Sequence, residues 1–424
     1  MDRNGSRVTA RPTVTAPGTE RLSRRILLNL LLLAAVTGLA IATWHTVRLG
    51  YADWLFHRGS PEDGHRAAGL VPGNARYWSG ASPPQPAEAV RHNPRDADSW
   101  IRLGLAAEMK GDPAEAERCL TQAARVNRTY VPCWTLANFY FRRGDRDKFW
   151  LWARRSAEMA YQDQSALFDL CWRISQSPEE ILNRAIPERG PVLAQYLRFL
   201  LERGRLEAAG APARLLLARA GPTERDLLLA YCDRLLSAGD TSAAVQTWNV
   251  LADKRLIAHA PLRPESGESL TNGRFLSEPM SVAFDWRYPR LEGVSRKRAG
   301  TEGGLRIEFS GHQPENCLIL EQIVPVARGA GYRLEVEYRT AGIAAGSGLR
   351  WIVIDPASGR LLSTAGFDAA GESWVTSGLT FSTPPGADRA LLQLAYGRAP
   401  GTARIEGTLW LRRVALRLVS KETP

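Results

Sequence analysis

Apolar residues change their spacing twice along this chain. Residues 26–44, ILLNLLLLAAVTGLAIATW, form one apolar run in which Asn29 is the only strongly polar side chain. Residues 52–258 read as short helices joined by polar turns, with Gly111-Asp112, Gly144-Asp145 and Gly239-Asp240 as the clearest joints and Gly204-Arg205 as a weaker one. Beyond residue 269 the alternation is every second residue. In YRLEVEYRT, Tyr332, Leu334, Val336 and Tyr338 fall on one face and Arg333, Glu335, Glu337 and Arg339 on the other. The stretch between, HAPLRPESGES (259–269), is rich in Pro, Gly and Ser and reads as a linker. The pattern therefore predicts a multidomain α plus β chain. A basic tail (1–25) leads into a transmembrane helix (26–47), a helical solenoid (52–258) and an antiparallel β-sandwich (270–420).

Nineteen helical residues span about 28 Å, close to the roughly 30 Å hydrocarbon core of a bilayer. Trp44 stands at the expected interface, followed by His45 and Arg48. Six arginines (Arg3, Arg7, Arg11, Arg21, Arg24, Arg25) precede the run against Asp2 and Glu20, so the N-terminus is expected in the cytoplasm and the body outside it. Ala40-Ile41-Ala42 offers a signal-peptidase pattern, but the long polar lead and the length of the run favour an uncleaved anchor.

The segment DADSWIRLGLAAEMKGDPAEAERCLTQAARVN places Trp100, Leu103, Gly104, Ala107, Ala116, Leu120 and Ala123 in a W-x2-L-G and A-x3-L-x2-A arrangement. Trp134 follows Trp100 by 34 residues, with Ala137, Asn138, Phe141, Trp150, Arg154 and Ala157 at corresponding places. This spacing resembles the tetratricopeptide repeat (TPR). The resemblance implies two antiparallel helices per repeat and a concave face for a protein partner. It makes Trp100, Leu103, Gly104, Ala116, Ala123, Trp134, Phe141 and Ala157 repeat-packing residues. Residues 67–78 and 87–100 resemble the Pro-containing turn between repeats, residues 227–232 and 243–251 another hairpin, and residues 162–190 fit poorly. The same region raises a rival reading. Residues 131–159 interleave arginines with Trp134, Phe139, Tyr140, Phe141, Phe149, Trp150 and Trp152, a composition also found where single-stranded nucleic acid is bound. The repeat positions and the expected compartment favour helix packing.

The β-rich third opens with LTNGRF and continues with FDWRY, a Q-x-V-P-V strand, G-x-x-Y-R-L, W-x6-F-x2-P and a closing L-W-L-x-x-V. That order resembles carbohydrate-binding-module jelly rolls. The resemblance implies aromatic plates for sugar rings, with Trp286, Tyr288, Trp351 and Trp374 as the stacking candidates and Trp410 beside them. Most of these rings are expected to be core. The resemblance also implies acids for a structural calcium near the opening, but Arg274 and Leu276 follow Asn272-Gly273, so no metal or cofactor is expected. Glu335 and Glu337 share a strand face with arginines and read as a surface ladder rather than an acid/base pair.

Composition adds less. The net charge is +11, but 50 of the 55 basic residues are arginine, a bias that argues for coding composition more than for an anion site. Cys119, Cys133, Cys171, Cys232 and Cys317 form no CxxC or Cys/His cluster, and read as buried thiols with one Cys119–Cys133 bridge left open. The six histidines are scattered, and there is no phosphate loop, nucleophile elbow or dinucleotide fingerprint. The expected function is a non-enzymatic scaffold, single-pass in a bacterial inner membrane, holding a protein partner in envelope or exopolysaccharide assembly and no nucleic acid. The alternatives are a carbohydrate-binding protein acting through the jelly roll and a polysaccharide-processing enzyme.

Overall fold

The computed structural model describes residues 17–159, 161, 163–300, 304–367 and 371–421. The chain divides into two units, Met1–Met159 and Ala160–Pro424. Of the basic tail, Arg3, Arg7 and Arg11 lie outside the described residues.

In the first unit the apolar run lies inside one helix of 42 residues, α1 (Pro17–Arg58). It is long and apolar enough to be a membrane span or a signal sequence, and its apolar window is unburied. The helix runs on past Trp44, and its last turns bury Ala52 and Leu55 against Ala67 and Ala68 of α2 (Pro61–Leu70) and Tyr77 of α3 (Ala75–Gly80). Then follow α4 (Pro86–His92), α5 (Ala97–Met109), α6 (Pro113–Val126), α7 (Tyr130–Arg143) and α8 (Arg146–Met159).

Local chemistry sets these boundaries. Gly111 and Gly144 sit at φ +79° and +71°, left-handed turns that favour glycine. The aspartate that follows each one caps the next helix, Asp112 accepting from Glu115 N at 3.1 Å and Asp145 from Lys148 N at 3.1 Å. The 34-residue period reappears as contact: Arg142 donates to both carboxylate oxygens of Glu108, at 2.8 and 2.7 Å.

Ala116, Ala123 and Ala157 are fully buried and let the helices approach. A Cβ on Gly104 would lie 2.6 Å from Leu120 Cγ and 3.2 Å from the Ala116 carbonyl oxygen. Overpacking costs about 1–3 kcal/mol, while alanine's helix preference returns up to about 1 kcal/mol. Gly104→Ala should therefore lower the urea midpoint of the detergent-solubilised chain; an unchanged midpoint would mean that Leu120 moves aside freely.

The large side chains depart from the expected packing set. Trp100, Leu103, Trp134 and Phe141 are half-buried. The Trp100 indole donates to the Pro94 carbonyl at 2.9 Å, which holds it over the preceding turn, and Trp78 makes the same six-residue link to Pro72 at 2.9 Å. Trp134 stacks on Tyr130, one turn earlier in α7. The seam is filled mainly by Leu136, Phe139, Tyr140, Phe149 and Trp150, all buried, with Phe141 packed against Phe149 at 6.2 Å.

The second unit begins with α9 (Ser165–Ile174) and α10 (Pro178–Ala185), two shorter helices in the stretch that breaks the period. Two hairpins follow: α11 (Gly190–Glu202) with α12 (Leu206–Arg219), and α13 (Arg225–Ala238) with α14 (Thr241–Asp253). Then come β1 (Val294–Arg298), β2 (Leu305–Ser310), β3 (Asn316–Pro325), β4 (Ala330–Ala341), β5 (Leu349–Asp355), β6 (Arg360–Gly366), β7 (Val375–Ser382), β8 (Arg389–Gly397) and β9 (Glu406–Lys421). They form two antiparallel sheets, β1-β2-β9-β4-β7 and β3-β8-β5-β6. The inward residues of both, among them Ile307, Leu334, Val336, Val353, Leu392 and Leu409, share one core.

Residues 259–269 are not a free tether between helices and sheets. Asn249 of α14 bonds the backbone of Leu262 through both its amide atoms, at 2.7 and 2.9 Å. The His259 ring, 6% exposed, stacks on Trp248, and its Nε2 lies 3.3 Å from the fully buried carboxylate of Asp285. Asp233 of α13 accepts from Ala283 N and from Arg287, both at 2.8 Å, and Thr241 donates to Asp388 at 2.7 Å. The last hairpin is thus built into the foot of the sandwich. All five cysteines are free thiols, so Cys119 and Cys133 are not bridged.

Candidate functional site

Three of the four stacking candidates cannot offer a flat face to a sugar. Trp286 is fully buried, packed on Phe275 at 5.5 Å and Trp351 at 6.2 Å, and Trp351 is 4% exposed in the same core. Tyr288 is half-buried with its hydroxyl out of solvent, and burial pushes its phenol pKa up. Side chains that precede or line the inner face of a two-layer sandwich fill the gap between its sheets, whatever their affinity for sugars.

Trp374 is different. It is 39% exposed, on the turn leading into β7. The strand register shows what lies beside it. Arg306 of β2 is opposite Trp410 of β9, and Trp410 is opposite Arg339 of β4. Tyr338 of β4 pairs with Val375 of β7, which brings Trp374 next to Arg339. The outer face of the five-stranded sheet therefore carries one row that reads Arg306, Trp410, Arg339, Trp374. The contacts follow the row. The Arg339 guanidinium lies 4.5 Å from the Trp410 ring centre and 5.1 Å from that of Trp374. Arg306 approaches Trp410 at 5.8 Å, and Arg412 approaches Trp374 at 5.3 Å. The two indoles stand two strands apart, roughly 9–10 Å at ordinary strand spacing.

The carboxylates of this face are engaged. Glu337 accepts from Arg412 at 2.9 Å, Glu308 lies 2.6 Å from Arg306, and Glu335 is shared by Arg417 at 3.1 Å and Arg333 at 3.5 Å. Glu335 and Glu337 thus sit in cross-strand ion pairs, with partners on β9 that the local sequence does not show. Arg339 makes no ion pair among the described residues, and its Nε is buried without an acceptor. Among the described residues no group of three or more His, Cys, Asp or Glu could hold a metal ion. The array can present aromatic surface and guanidinium donors together.

Sequence reasoning placed Arg339 on the outward face of its strand and named Trp374 and Trp410, but not the row that joins them. Its signal is the pairing of β4 with β9 across some seventy residues, which no local pattern encodes. A groove of about 770 Å³ lies among the helices of this unit, lined by Trp172, Gln176, Arg205, Glu207, Tyr231 and Asp240. Arg205 lies 3.9 Å over the Trp172 ring.

No protein-family model matches the chain, and no curated protein matches it. Solved structures similar to parts of it include carbohydrate-binding modules and a TPR protein. A structure described as "CBM4 structure and function" is 15% identical, covering 36% of this chain and all of that one, with a TM-score of 0.28. The CBM22-1 xylan-binding domain from Paenibacillus barcinonensis Xyn10C is 13% identical over 35% of this chain and 92% of its own, with a TM-score of 0.25. YrrB, a TPR protein with an unusual peptide-binding site, is 11% identical over 40% of this chain and 91% of its own, with a TM-score of 0.20.

Proposed function

We propose that this chain is a non-enzymatic, membrane-anchored binding protein whose C-terminal sandwich, a jelly roll, holds an extended glycan across the outer face of its five-stranded sheet. One observation carries the reading: Trp410 and Trp374 are aligned two strands apart on an accessible face, a spacing that lets one polysaccharide chain touch both. In this reading α1 is the anchor in a bacterial inner membrane, with the N-terminus cytoplasmic and the body extracytoplasmic. The helices form a TPR-like solenoid that carries the sandwich. A place in envelope or exopolysaccharide assembly rests on domain analogy.

The test is intrinsic fluorescence titration of the detergent-solubilised chain with soluble polysaccharides. Trp374→Ala and Trp410→Ala should each weaken binding about tenfold, equivalent to about 1.4 kcal/mol, without lowering the melting temperature. Unchanged affinity in both variants would end this reading. The groove at Trp172 and Arg205 supports a second role, a protein partner held by the helices, which crosslinking and pull-down from membranes would test.

A further inference from the structure

We infer that the ligand of the Trp374–Trp410 face is an acidic polysaccharide, and that Arg339 is the residue that reads its carboxylate groups. The inference rests on the glycan reading above and adds the charge of the ligand to it.

The charge balance of the face is the first argument. Glu308, Glu335 and Glu337 each have a guanidinium partner, so the acids of the face are already neutralised. Arg339 is left over. A cation on a sheet normally finds a cross-strand carboxylate, yet the residues opposite and beside Arg339 are two tryptophans. An arrangement selected only for stability would place an acid there.

The second argument is the way Arg339 is held. A guanidinium is planar, stacks its face on aromatic rings and keeps its N–H edge free for a bidentate acceptor. Rings at 4.5 and 5.1 Å fix that plane before any ligand arrives, so little side-chain entropy remains to be lost on binding. The buried Nε has no acceptor and the guanidinium makes no ion pair among the described residues, so its other N–H groups are left to a ligand. A carboxylate matches the remaining edge in shape and charge.

The third argument is repetition. Lys297 of β1 is opposite Arg306, so the row continues as Lys297, Arg306, Trp410, Arg339, Trp374. Arg306 and Arg339 are two strands apart, as the two indoles are. From Arg306 onward a polymer lying along the row meets cation and ring in alternation, Arg306 held in its ion pair with Glu308 and Arg339 without one, which suits a chain whose acidic sugars recur at regular intervals. A neutral glycan would use the rings and leave Arg339 idle.

The experiment titrates the full chain in detergent with polygalacturonate, alginate and hyaluronan, each beside its carboxyl-reduced neutral form. Phosphatidylglycerol vesicles form a separate arm. At least one acid form should bind about tenfold or more tighter than its reduced form, and the difference should shrink as salt is raised. Arg339→Gln should abolish the preference while leaving the weaker neutral binding, and Arg339→Lys should restore part of it. Arg306→Gln, outside the indole clamp, leaves Glu308 without its guanidinium and adds negative charge to the row, so it should reduce the preference even if Arg339→Gln folds poorly. Equal affinity for acid and reduced forms, still sensitive to Trp374→Ala, would overturn this inference and leave the glycan reading standing. Binding to none of the six polysaccharides would overturn both. Arg339-dependent binding to the vesicles alone would make the face a lipid site and overturn both as well.

Discussion

Replacing Trp286 with alanine should cost about 3–5 kcal/mol, the range for truncating a fully buried aromatic. Against the 5–15 kcal/mol that holds an ordinary domain together, that is a large fraction of the whole. The ring contributes more than its volume. It packs on Phe275 and Trp351, and its Nε1 donates to the Asn272 carbonyl at 3.2 Å. Asn272, Phe275, Ser281 and Ala283 all hold left-handed backbone, with φ between 48° and 56°, and such residues persist only where their surroundings over-determine them. Removing the indole takes away one of those surroundings. Urea unfolding followed by near-ultraviolet circular dichroism should show a much lower midpoint for Trp286→Ala and a shift within about 0.5 kcal/mol for Trp374→Ala, a surface site. Equal effects at the two positions would mean that Trp286 is not the keystone its burial implies.

The contrast between these two tryptophans marks what local sequence encodes. The turns at Gly111-Asp112, Gly144-Asp145 and Gly239-Asp240 were legible, because a turn is decided within five residues, and in each the aspartate accepts from the amide three residues on. The outward alternation of Arg333, Glu335, Glu337 and Arg339 was legible too, since a strand repeats every two residues. Burial of a given aromatic is settled elsewhere. Trp286 lies in FDWRY, which reads as a strand, yet apart from a single bridge between Arg287 and Glu321 the segment makes no ladder and instead plugs the sandwich. Trp100 and Trp134 occupy the start of the repeat pattern, yet the Trp100 indole is tied to the incoming chain at Pro94 and the Trp134 ring stacks on Tyr130 at the start of its own helix. The Arg339 clamp needed the register of β4 on β9 and β7, a long-range fact.

The same limit explains residues 259–269, where Pro, Gly and Ser spell a linker by composition while the packing fixes the stretch in place. Asp285 is the centre of that joint. Its fully buried carboxylate accepts from Met280 N and Trp286 N, both at 2.8 Å, and faces His259 at 3.3 Å. Asp285→Ala leaves those donors without an acceptor. Each buried unsatisfied group costs about 1–3 kcal/mol. The loss should fall on the seam first, since Trp248 stacks on His259 at 5.6 Å and meets Phe284 edge-on at 5.7 Å, and depends on both staying in place. Limited proteolysis reads this directly. In the native chain residues 259–269 should resist cleavage about as well as the strands do. In Asp285→Ala they should become the first site cut, separating an intact sandwich from the helices before either is degraded. Asp285→Asn, which keeps an acceptor oxygen, should fall between the two. Rapid cleavage at 259–269 in the unaltered protein would restore the flexible linker, and the sandwich would then be an independent domain hung from the helices rather than footed on them.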